Sequence, residues 1–245
     1  MLNTNEIYLG DCIQIMKNID NSSIDMILTD LPYNVTKNKW DQDIIPLDQL
    51  WNEYKRIIKP NGAILLFAQG IFSSKLIMSN EKMFKYDIVW KKGERVSGFL
   101  NAKKQPMRNH EQILCFYKKQ PTYNPIFTEG IPLHSKGKKY LNKEGVNNNY
   151  GYYDTTLPET RKGSTKKYPK SVLNFDKPHP AIHPNEKPVS LLEYLIETYT
   201  NIDDIVLDST CGSGSTCVAA KNLKRRYIGI EKDENWYEMT KQRLK

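Results

Sequence analysis

The feature that most constrains the fold is a buried strand that runs into a glycine-rich turn and then a helix. It spans Ile205-Val206-Leu207-Asp208-Ser209-Thr210-Cys211-Gly212-Ser213-Gly214-Ser215-Thr216. Glycines let a backbone approach a ligand closely, and the free N–H groups at a helix start favour an anionic group. A further strand, 226–230, follows and ends at Glu231. The segment therefore predicts a ligand site at the carboxyl edge of a parallel sheet.

The two acids at these strand ends indicate which ligand the turn would take. Asp208 would repel the pyrophosphate of a dinucleotide, which disfavours an NAD-type site. It would attract an ammonium group, such as the one on the methionine part of S-adenosylmethionine. Glu231 is placed to bind ribose hydroxyl groups, as acids at this position do in doubly wound folds. The alternative interpretation is a structural glycine turn with a solvated acid.

Strands and helices alternate along most of the chain, which predicts an α/β fold, a doubly wound Rossmann-like sheet that is mostly parallel. Pro60-Asn61-Gly62 should end a helix that begins at 47. From about 119 to 180 the pattern breaks down, and so long an irregular stretch indicates an inserted functional region. The predicted strands are 24–29, 63–68, 86–90, 111–117, 205–207 and 226–230, and the predicted helices are 47–58, 72–78, 188–196, 215–222 and 236–244.

A second motif, Asp30-Leu31-Pro32-Tyr33, follows the strand 24–29. The exocyclic amine of a nucleobase is a poor nucleophile, because its lone pair is delocalised into the ring. The carboxylate of Asp30 and the backbone carbonyl of Leu31 can each accept a hydrogen bond from one of its two N–H groups, which frees the lone pair. Pro32 stiffens the turn, and Tyr33 offers a ring face on which a base can stack. An ordinary turn at the end of a strand is the alternative.

One segment carries all of the positive excess behind the net charge of +8. Residues 91–177 hold 18 lysines and arginines against 7 acidic residues, and the rest of the chain holds 18 against 21. Basic side chains mixed with aromatic ones, as in 136–140 and 161–168, neutralise phosphates and predict nucleic-acid binding. A solvated basic surface is the alternative, but the position of this region between the two motifs favours DNA.

Several classes of protein are disfavoured by composition. The four cysteines have neither zinc spacing nor the Pro-Cys context of a covalent base-attacking enzyme, and they indicate reduced thiols and a cytoplasmic protein. His134, His179 and His183 lack the spacing and the cysteine partners of a metal site. The apolar runs are too short to span a membrane, and the N-terminus does not resemble a signal peptide.

Taken together, these segments resemble the β-class of DNA amino-methyltransferases, a family found with prokaryotic restriction systems and in phages. In that family the catalytic motif, usually Asp-Pro-Pro-Tyr, precedes the recognition region, and the glycine motif follows it, as here. The resemblance covers nearly the whole chain and is weakest from about 128 to 172. Further matching segments are Gly10-Asp11-Cys12, Lys39-Trp40-Asp41, Gly98-Phe99-Leu100-Asn101-Ala102-Lys103, Asn109-His110-Glu111 and His183-Pro184-Asn185-Glu186-Lys187-Pro188.

The resemblance implies a circularly permuted methyltransferase fold, in which the N-terminal strand lies beside the strand that ends at Glu231. It implies a catalytic and cofactor-binding domain over 1–118 and 181–245, and a target-recognition region over 119–180. Asp11 and Cys12 should border the cofactor adenine, and Lys187 should lie near its methionine end. The full set expected to bind S-adenosylmethionine is Asp11, Cys12, Asp30, Lys187, Asp208, Thr210, Cys211, Gly212, Gly214, Ser215, Thr216 and Glu231.

Two residues depart from the family pattern. Leu31 replaces the usual first proline, which is tolerable if that residue acts through its carbonyl. Cys211 replaces a usual phenylalanine and should alter the packing around the cofactor. Because cytosine-N4 members usually begin the catalytic motif with serine, Asp30 favours adenine.

The resulting prediction is methyl transfer to the N6 amine of adenine in double-stranded DNA, by direct attack on a flipped-out base. Possible partners are a second copy of the chain and a cognate restriction endonuclease. The open alternatives are cytosine-N4 methylation, methylation of an RNA amine, and a catalytically silent binding subunit. The intact motif residues argue against the last.

Overall fold

The computed structural model describes residues 2–33, 44–132, 146–147, 151–152, 164–182 and 185–245. The chain forms two compact units. The first consists of Met1–Asn124 and Ser171–Lys245, and the second of Pro125–Lys170. The second unit therefore lies inside the region 119–180 that the sequence marks as irregular. Within the described ranges, no helix is both long enough and apolar enough to cross a membrane.

The first unit is an eight-stranded sheet with helices on both faces, as far as the chain is described. The strand order is β1-β12-β11-β2-β3-β5-β4-β10. Its strands are β1 Glu6–Leu9, β2 Ile24–Thr29, β3 Ile58–Ala68, β4 Phe84–Lys91, β5 His110–Phe116, β10 Val172–Asn174, β11 Ile205–Asp208 and β12 Arg226–Glu231. Its helices are α1 Cys12–Met16, α2 Leu47–Ile57, α3 Ile71–Ser79, α4 Val189–Tyr199, α5 Ser215–Asn222 and α6 Glu234–Arg243.

The sheet is mostly parallel, as the alternation of strands and helices predicts. Only β5 runs antiparallel to its neighbours β3 and β4 within the described sheet. The reason is the connection from β4 to β5, which returns directly through 92–109 without a long crossover helix of the kind that joins parallel strands. β1 pairs in parallel with β12, so the N-terminal strand lies beside the strand ending at Glu231. The circular permutation implied by the family resemblance is confirmed.

Two hydrophobic cores flank the sheet, because successive strand side chains point to opposite faces. In β3, Ile64 and Leu66 face one core, while Leu65 and Phe67 face the other. The first core is closed by α1, α2 and α3, and the second by α4 and α5 with Leu244, which follows α6. This three-layer arrangement confirms the doubly wound fold, and it leaves the carboxyl ends of the parallel strands open for a site.

The Pro60-Asn61-Gly62 segment lies inside a strand and does not merely follow a helix. α2 ends at Ile57, and β3 begins at Ile58 without an intervening turn. The pairing with β2 shifts between Ile24 and Met26, so that the register continues from Ile58 to Ala63. Such an irregularity accommodates a proline, which has no N–H to give to the ladder.

The second unit contains two short antiparallel ladders among its described residues. β6 Thr128–Glu129 pairs with β9 Lys166–Lys167, and β7 Val146–Asn147 pairs with β8 Gly151–Tyr152. The rings of Phe127 and Tyr168 pack with their centroids 4.9 Å apart. The basic segment 136–140 lies outside the described residues, as do 161–163 and the Lys39-Trp40-Asp41 match.

Candidate active site

Four neighbouring parallel strands each lead to an acid at the same edge of the sheet. Asp11 follows β1, Glu231 ends β12, Asp208 ends β11 and Asp30 follows β2. All four acids line one cavity of about 590 Å³. The two motifs, almost 180 residues apart in sequence, therefore meet in one site, because β2 and β11 are adjacent strands.

Asp30 is held by donors from two directions. The hydroxyl of Tyr33 donates to its Oδ1, and the ammonium of Lys187 donates to its Oδ2. Burial raises the pKa of Asp30 above its usual value, whereas the positive charge of Lys187 opposes the rise. The ring of Tyr33 packs against Phe72, with the centroids 4.9 Å apart. The carboxylate is thus fixed in place before any substrate arrives.

The remaining residues of the second motif also line the cavity. Leu31 places its side chain in the first core, where it is 4% exposed. This position agrees with a role for Leu31 through its backbone, since the side chain is occupied by packing. Pro32 lies between it and Tyr33 on the cavity wall.

Lys187 reaches the cavity from the segment that precedes α4. Its ammonium contacts Asp30, lies 4.9 Å from the ring centroid of Phe67 and lies 3.4 Å from Oε2 of Glu111. Burial lowers the pKa of a lysine, but the carboxylates of Asp30 and Glu111 outweigh this and raise the pKa of Lys187. The residue predicted to lie near the cofactor's methionine end is therefore also an ion-pair partner of Asp30.

Asp208 is a buried carboxylate with neutral partners. Its Oδ1 accepts from Oγ1 of Thr29 at 2.8 Å and from the N–H of Thr210 at 3.2 Å. Burial raises the pKa of Asp208 to about 6. Oγ1 of Thr210 in turn donates to the backbone carbonyl of Asp30 at 3.1 Å. These bonds join the two motifs directly.

The glycine turn is tied to β12 through Glu231. The N–H of Gly212, which has a φ of 52°, donates to Oε2 of Glu231 at 2.7 Å. Oε1 of Glu231 accepts from the N–H groups of Lys232 and Asp233, each at 2.9 Å. Burial raises the pKa of Glu231. Together these contacts fix an acid at the cavity wall.

Gly214 serves the packing of a helix and is not among the residues that line the cavity. Its φ is 76°, and a Cβ built there would lie 2.4 Å from Cγ2 of Thr240 in α6. The other predicted residues of the turn and helix start do line the cavity; they are Thr210, Cys211, Gly212, Ser215 and Thr216. Glycine at 214 is required because α6 approaches so closely.

Asp11 and Cys12 begin α1 at the far end of the cavity. Asp11 is the N-cap, and its Oδ1 accepts from the N–H of Gln14 at 3.1 Å. Burial raises the pKa of Cys12 to about 12, so the thiol stays protonated. Cys211, the other cysteine on the cavity wall, is also buried, and its pKa is raised by its contact with Cys217 and by burial. Neither thiol has the character of a nucleophile.

A buried acid on β5, Glu111, belongs to the same site, although sequence reasoning gave it no role. Its Oε1 lies 2.5 Å from the ammonium of Lys92 at the end of β4. Burial alone would raise the pKa of Glu111, but the ammonium groups of Lys187 and Lys92 outweigh it and hold the pKa at about 2. The one signal was the family match at Asn109-His110-Glu111; nothing marked Lys92.

Glu186 is a second acid that sequence reasoning did not assign. Oε1 accepts from Oγ of Ser215 at 3.1 Å and pairs with Arg243 at 2.9 Å, and Oε2 accepts from the N–H of Ile182 at 2.7 Å. It therefore connects the segment before α4 to the start of α5.

Among the described residues, no group of three or more His, Cys, Asp and Glu could hold a metal ion. His134 and His183 lie outside the described residues.

Sequence comparisons identify a family for this chain. The sequence model of the N6/N4 DNA methylases matches residues 24–242. M.HinfI, a type II methyltransferase of Haemophilus influenzae, is 30% identical over 267 residues, which cover 98% of this chain and 68% of M.HinfI. The putative methylase YubD of Escherichia coli K12 is 28% identical, over 96% of this chain and 88% of YubD.

Solved structures show the same architecture. A complex of M1.HpyAVI with S-adenosylmethionine superposes with a TM-score of 0.62 at 26% identity, over 97% of this chain and 98% of that one. The cytosine-N4-specific PvuII methyltransferase superposes with a TM-score of 0.70 at 16% identity, over 99% and 87% of the two chains. At that identity the likeness shows the fold alone. Because the family match spans most of the sequence and both motifs, this chain belongs to the N6/N4 DNA methylase family.

Proposed function

We propose that this chain transfers a methyl group from S-adenosylmethionine to the N6 amine of adenine in double-stranded DNA. The observation that carries the proposal is the fixed carboxylate of Asp30. It lies in the same cavity as Asp208 and Glu231, which follow the pattern of a nucleoside-binding site. The reaction needs an acceptor for the amine beside a cofactor site, and the adjacency of β2 and β11, which bring Asp30 and Asp208 to one cavity, supports this assignment.

The cavity fits S-adenosylmethionine in charge and in hydrogen-bonding groups. The carboxylates on its wall, among them Asp11, Asp30, Asp208 and Glu231, suit a ligand that carries a sulfonium, an ammonium and two ribose hydroxyl groups. Glu231 would hold the ribose, Asp208 the ammonium, and Asp11 with Cys12 the adenine edge. The remaining cofactor-binding residues would be Asp30, Lys187, Thr210, Cys211, Gly212, Ser215 and Thr216. When bound, S-adenosylmethionine supplies an electrophilic methyl group on a positively charged sulfur.

Asp30 and Leu31 would orient the target amine. The carboxylate of Asp30 would accept a hydrogen bond from one N–H group of the amine, and the carbonyl of Leu31 would accept one from the other. These two hydrogen bonds localise the nitrogen lone pair for attack on the methyl carbon. The N–C bond forms as the S–C bond breaks, and Asp30 is placed to receive the proton that the amine then loses. Its raised pKa favours this last role. Catalysis is orientation and electrostatics, without a covalent enzyme intermediate.

An adenine inside a duplex must leave the base stack to reach Asp30. Extrusion of a base costs about a few kcal/mol, which stacking against side chains in the pocket offsets. The half-buried ring of Tyr33, backed by Phe72, is the surface on which we expect the base to lie. The basic excess in 91–177 would hold the phosphates, and the second unit would read the sequence.

Adenine is favoured over cytosine by the aspartate that begins the motif. The fold does not discriminate, since the cytosine-N4-specific PvuII enzyme shares it. A homodimer and a cognate restriction endonuclease stay predictions of the family resemblance.

The test is incubation of the protein with labelled S-adenosylmethionine and either plasmid DNA of mixed sequence or cellular RNA, followed by mass spectrometry of the nucleosides. N6-methyladenine is the expected product. N4-methylcytosine without N6-methyladenine would overturn the base assignment. Label in RNA alone, or no label in any nucleic acid, would remove DNA methylation from the function.

A further inference from the structure

A chain of four charged side chains, three of them buried, runs from β4 and β5 to the catalytic acid. The order is Lys92, Glu111, Lys187 and Asp30, and it alternates in sign. The four side chains are supplied by the residue after β4, by β5, by the segment before α4 and by the residue after β2. Lys92, Glu111 and Lys187 are each less than 10% exposed. A buried charge is costly unless it is paired, so each of these side chains depends on its neighbours in the chain of charges for its stability.

The chain creates a conflict at Asp30. Both of its oxygens already accept a donor, Oδ1 from Tyr33 and Oδ2 from Lys187. Each oxygen has a second lone pair, but an amine that shares Oδ2 with an ammonium meets a carboxylate whose charge is already drawn to the cation, so the amine and Lys187 compete for Asp30. Removing Lys187 from Asp30 would leave an ammonium in a buried site, which is strongly unfavourable without a second acceptor.

Glu111 offers that second acceptor. Its Oε1 is held by Lys92 at 2.5 Å, but its buried Oε2 makes no hydrogen bond with any of the described residues. The ammonium of Lys187 lies 3.4 Å from this oxygen. A hydrogen bond between an ammonium and a carboxylate is about 2.8 Å long, so a movement of about 0.6 Å would complete it. Oε2 therefore carries an unused acceptor site next to the cation that competes with the target amine for Asp30.

We propose that Glu111 is a positioning residue that receives the ammonium of Lys187 when the target amine takes its place at Asp30. The inference rests on the proposed amine methyl transfer. Lys92 keeps Glu111 charged and immobile while Lys187 changes partner. The charge of the site stays the same in both arrangements, because the ammonium passes from one carboxylate to the other.

This arrangement makes the effect of Glu111 depend on Lys187. In a Glu111→Gln variant the neutral amide is a poor partner for an ammonium, so Lys187 stays on Asp30 and competes with the amine. We expect kcat for methylation of plasmid DNA to fall by about tenfold or more. In a Lys187→Met background there is no ammonium to receive, so adding Glu111→Gln should change kcat little. A double-mutant cycle measures this difference.

The pH dependence gives a second readout that a purely structural role would not produce. The groups around Lys187 are Asp30 with Tyr33, Glu111 with Lys92, the ring of Phe67 and, further away, Lys177. Glu111 raises the pKa of Lys187, so its removal lowers that pKa. At alkaline pH the Glu111→Gln variant should therefore lose the competing ammonium first. Its kcat, relative to wild type, should rise as the pH is raised above neutral.

The matched control is Glu53→Gln, which breaks a half-buried ion pair with Arg56 on α2, remote from the cavity. It should leave kcat and its pH dependence unchanged. Thermal unfolding and equilibrium binding of S-adenosylmethionine show whether each variant is folded. If the wild type transfers no methyl group, the proposed function fails. If the wild type is active but Glu111→Gln lowers kcat equally with and without Lys187, or leaves it unchanged, this inference alone fails.

A measurement on the wild-type protein guards against variants that do not fold. Sequencing of the methylated plasmid gives the recognition site, and a duplex carrying it can be crystallised with the enzyme and S-adenosylhomocysteine. We expect Lys187 to be hydrogen-bonded to Oε2 of Glu111 and the extruded amine to be hydrogen-bonded to Asp30. Lys187 still bonded to Asp30, with the amine also in place, would overturn the exchange of partners.

Discussion

Replacing Asp208 by asparagine should make the cofactor-free protein more stable at neutral and alkaline pH. Asp208 is 4% exposed, and its described polar partners are the uncharged groups of Thr29, Thr210 and Thr216. Burial therefore disfavours the carboxylate and raises the pKa from 3.8 to about 6. An asparagine of the same shape keeps an oxygen for two of these donors and removes the charge.

The magnitude follows from the pKa. One pKa unit corresponds to about 1.4 kcal/mol, so ionisation of Asp208 costs the folded state about 3 kcal/mol at pH 8. The new amide must find an acceptor of its own, which offsets about 1 kcal/mol. The expected net gain is about 2 kcal/mol. The pKa of Asp208 is higher in the folded state than in the unfolded state. The free energy of unfolding of the wild type therefore falls as the pH rises from the unfolded pKa to the folded pKa, and the loss is complete above both. The advantage of the variant should shrink by about 1.4 kcal/mol between pH 8 and pH 5.

Urea denaturation of both proteins over this pH range measures the difference in the free energy of unfolding. Asp48→Asn, at an exposed position in the first turn of α2, controls for the general loss of one carboxylate. A variant that is less stable than the wild type at pH 8, or whose advantage does not depend on pH, would refute the reasoning. If the variant is more stable at pH 8 and its advantage shrinks towards pH 5, the charge of Asp208 is a cost to folding that a bound cation offsets.

Two further substitutions test the glycine turn and the acid that holds it. Gly214→Ala should lower the free energy of unfolding by about 2–4 kcal/mol, because of the positive φ and the clash with Thr240. The control Gly98→Ala, at a φ of 83° with no atom within 4 Å, should lower it by only about 1 kcal/mol. Equal losses on chemical denaturation would contradict the packing role of Gly214. Glu231→Gln should weaken binding of S-adenosylmethionine by about tenfold, because the charged acceptor proposed for the ribose hydroxyl groups becomes neutral. Calorimetry that finds no change would remove Glu231 from the cofactor site.

The cofactor half of the site could be predicted from sequence because its geometry is local. Asp208, the glycine turn and Glu231 lie within 24 residues, and a strand, a turn and a helix in that order fix where the ligand can bind. The Asp30 motif is equally local. That the two motifs meet depends on the order of strands, of which the family resemblance implied only the pairing of β1 with β12; the adjacency of β2 and β11 comes from the structure.

What the sequence did not indicate depends on contacts between distant segments. Glu111 and Lys187 are 76 positions apart and come together only because β5 reaches the same edge of the sheet as the segment before α4. β10 has three residues, and its pairing with β4 comes from tertiary packing, not from any periodic pattern. Gly214 was assigned to the cofactor because it stands in the turn, whereas the approach of Thr240 decides its identity.

The most direct test of the account is single-turnover methyl transfer to plasmid DNA by the Asp30→Ala variant. The account predicts a loss of about 10²–10³-fold or more, since the acceptor for the target amine is gone, while S-adenosylmethionine still binds. Asp30→Asn, which keeps the shape of the side chain but not its charge, should also be impaired. Transfer at the wild-type rate by a folded, cofactor-binding Asp30→Ala protein would contradict the assignment of this cavity as the site of methylation.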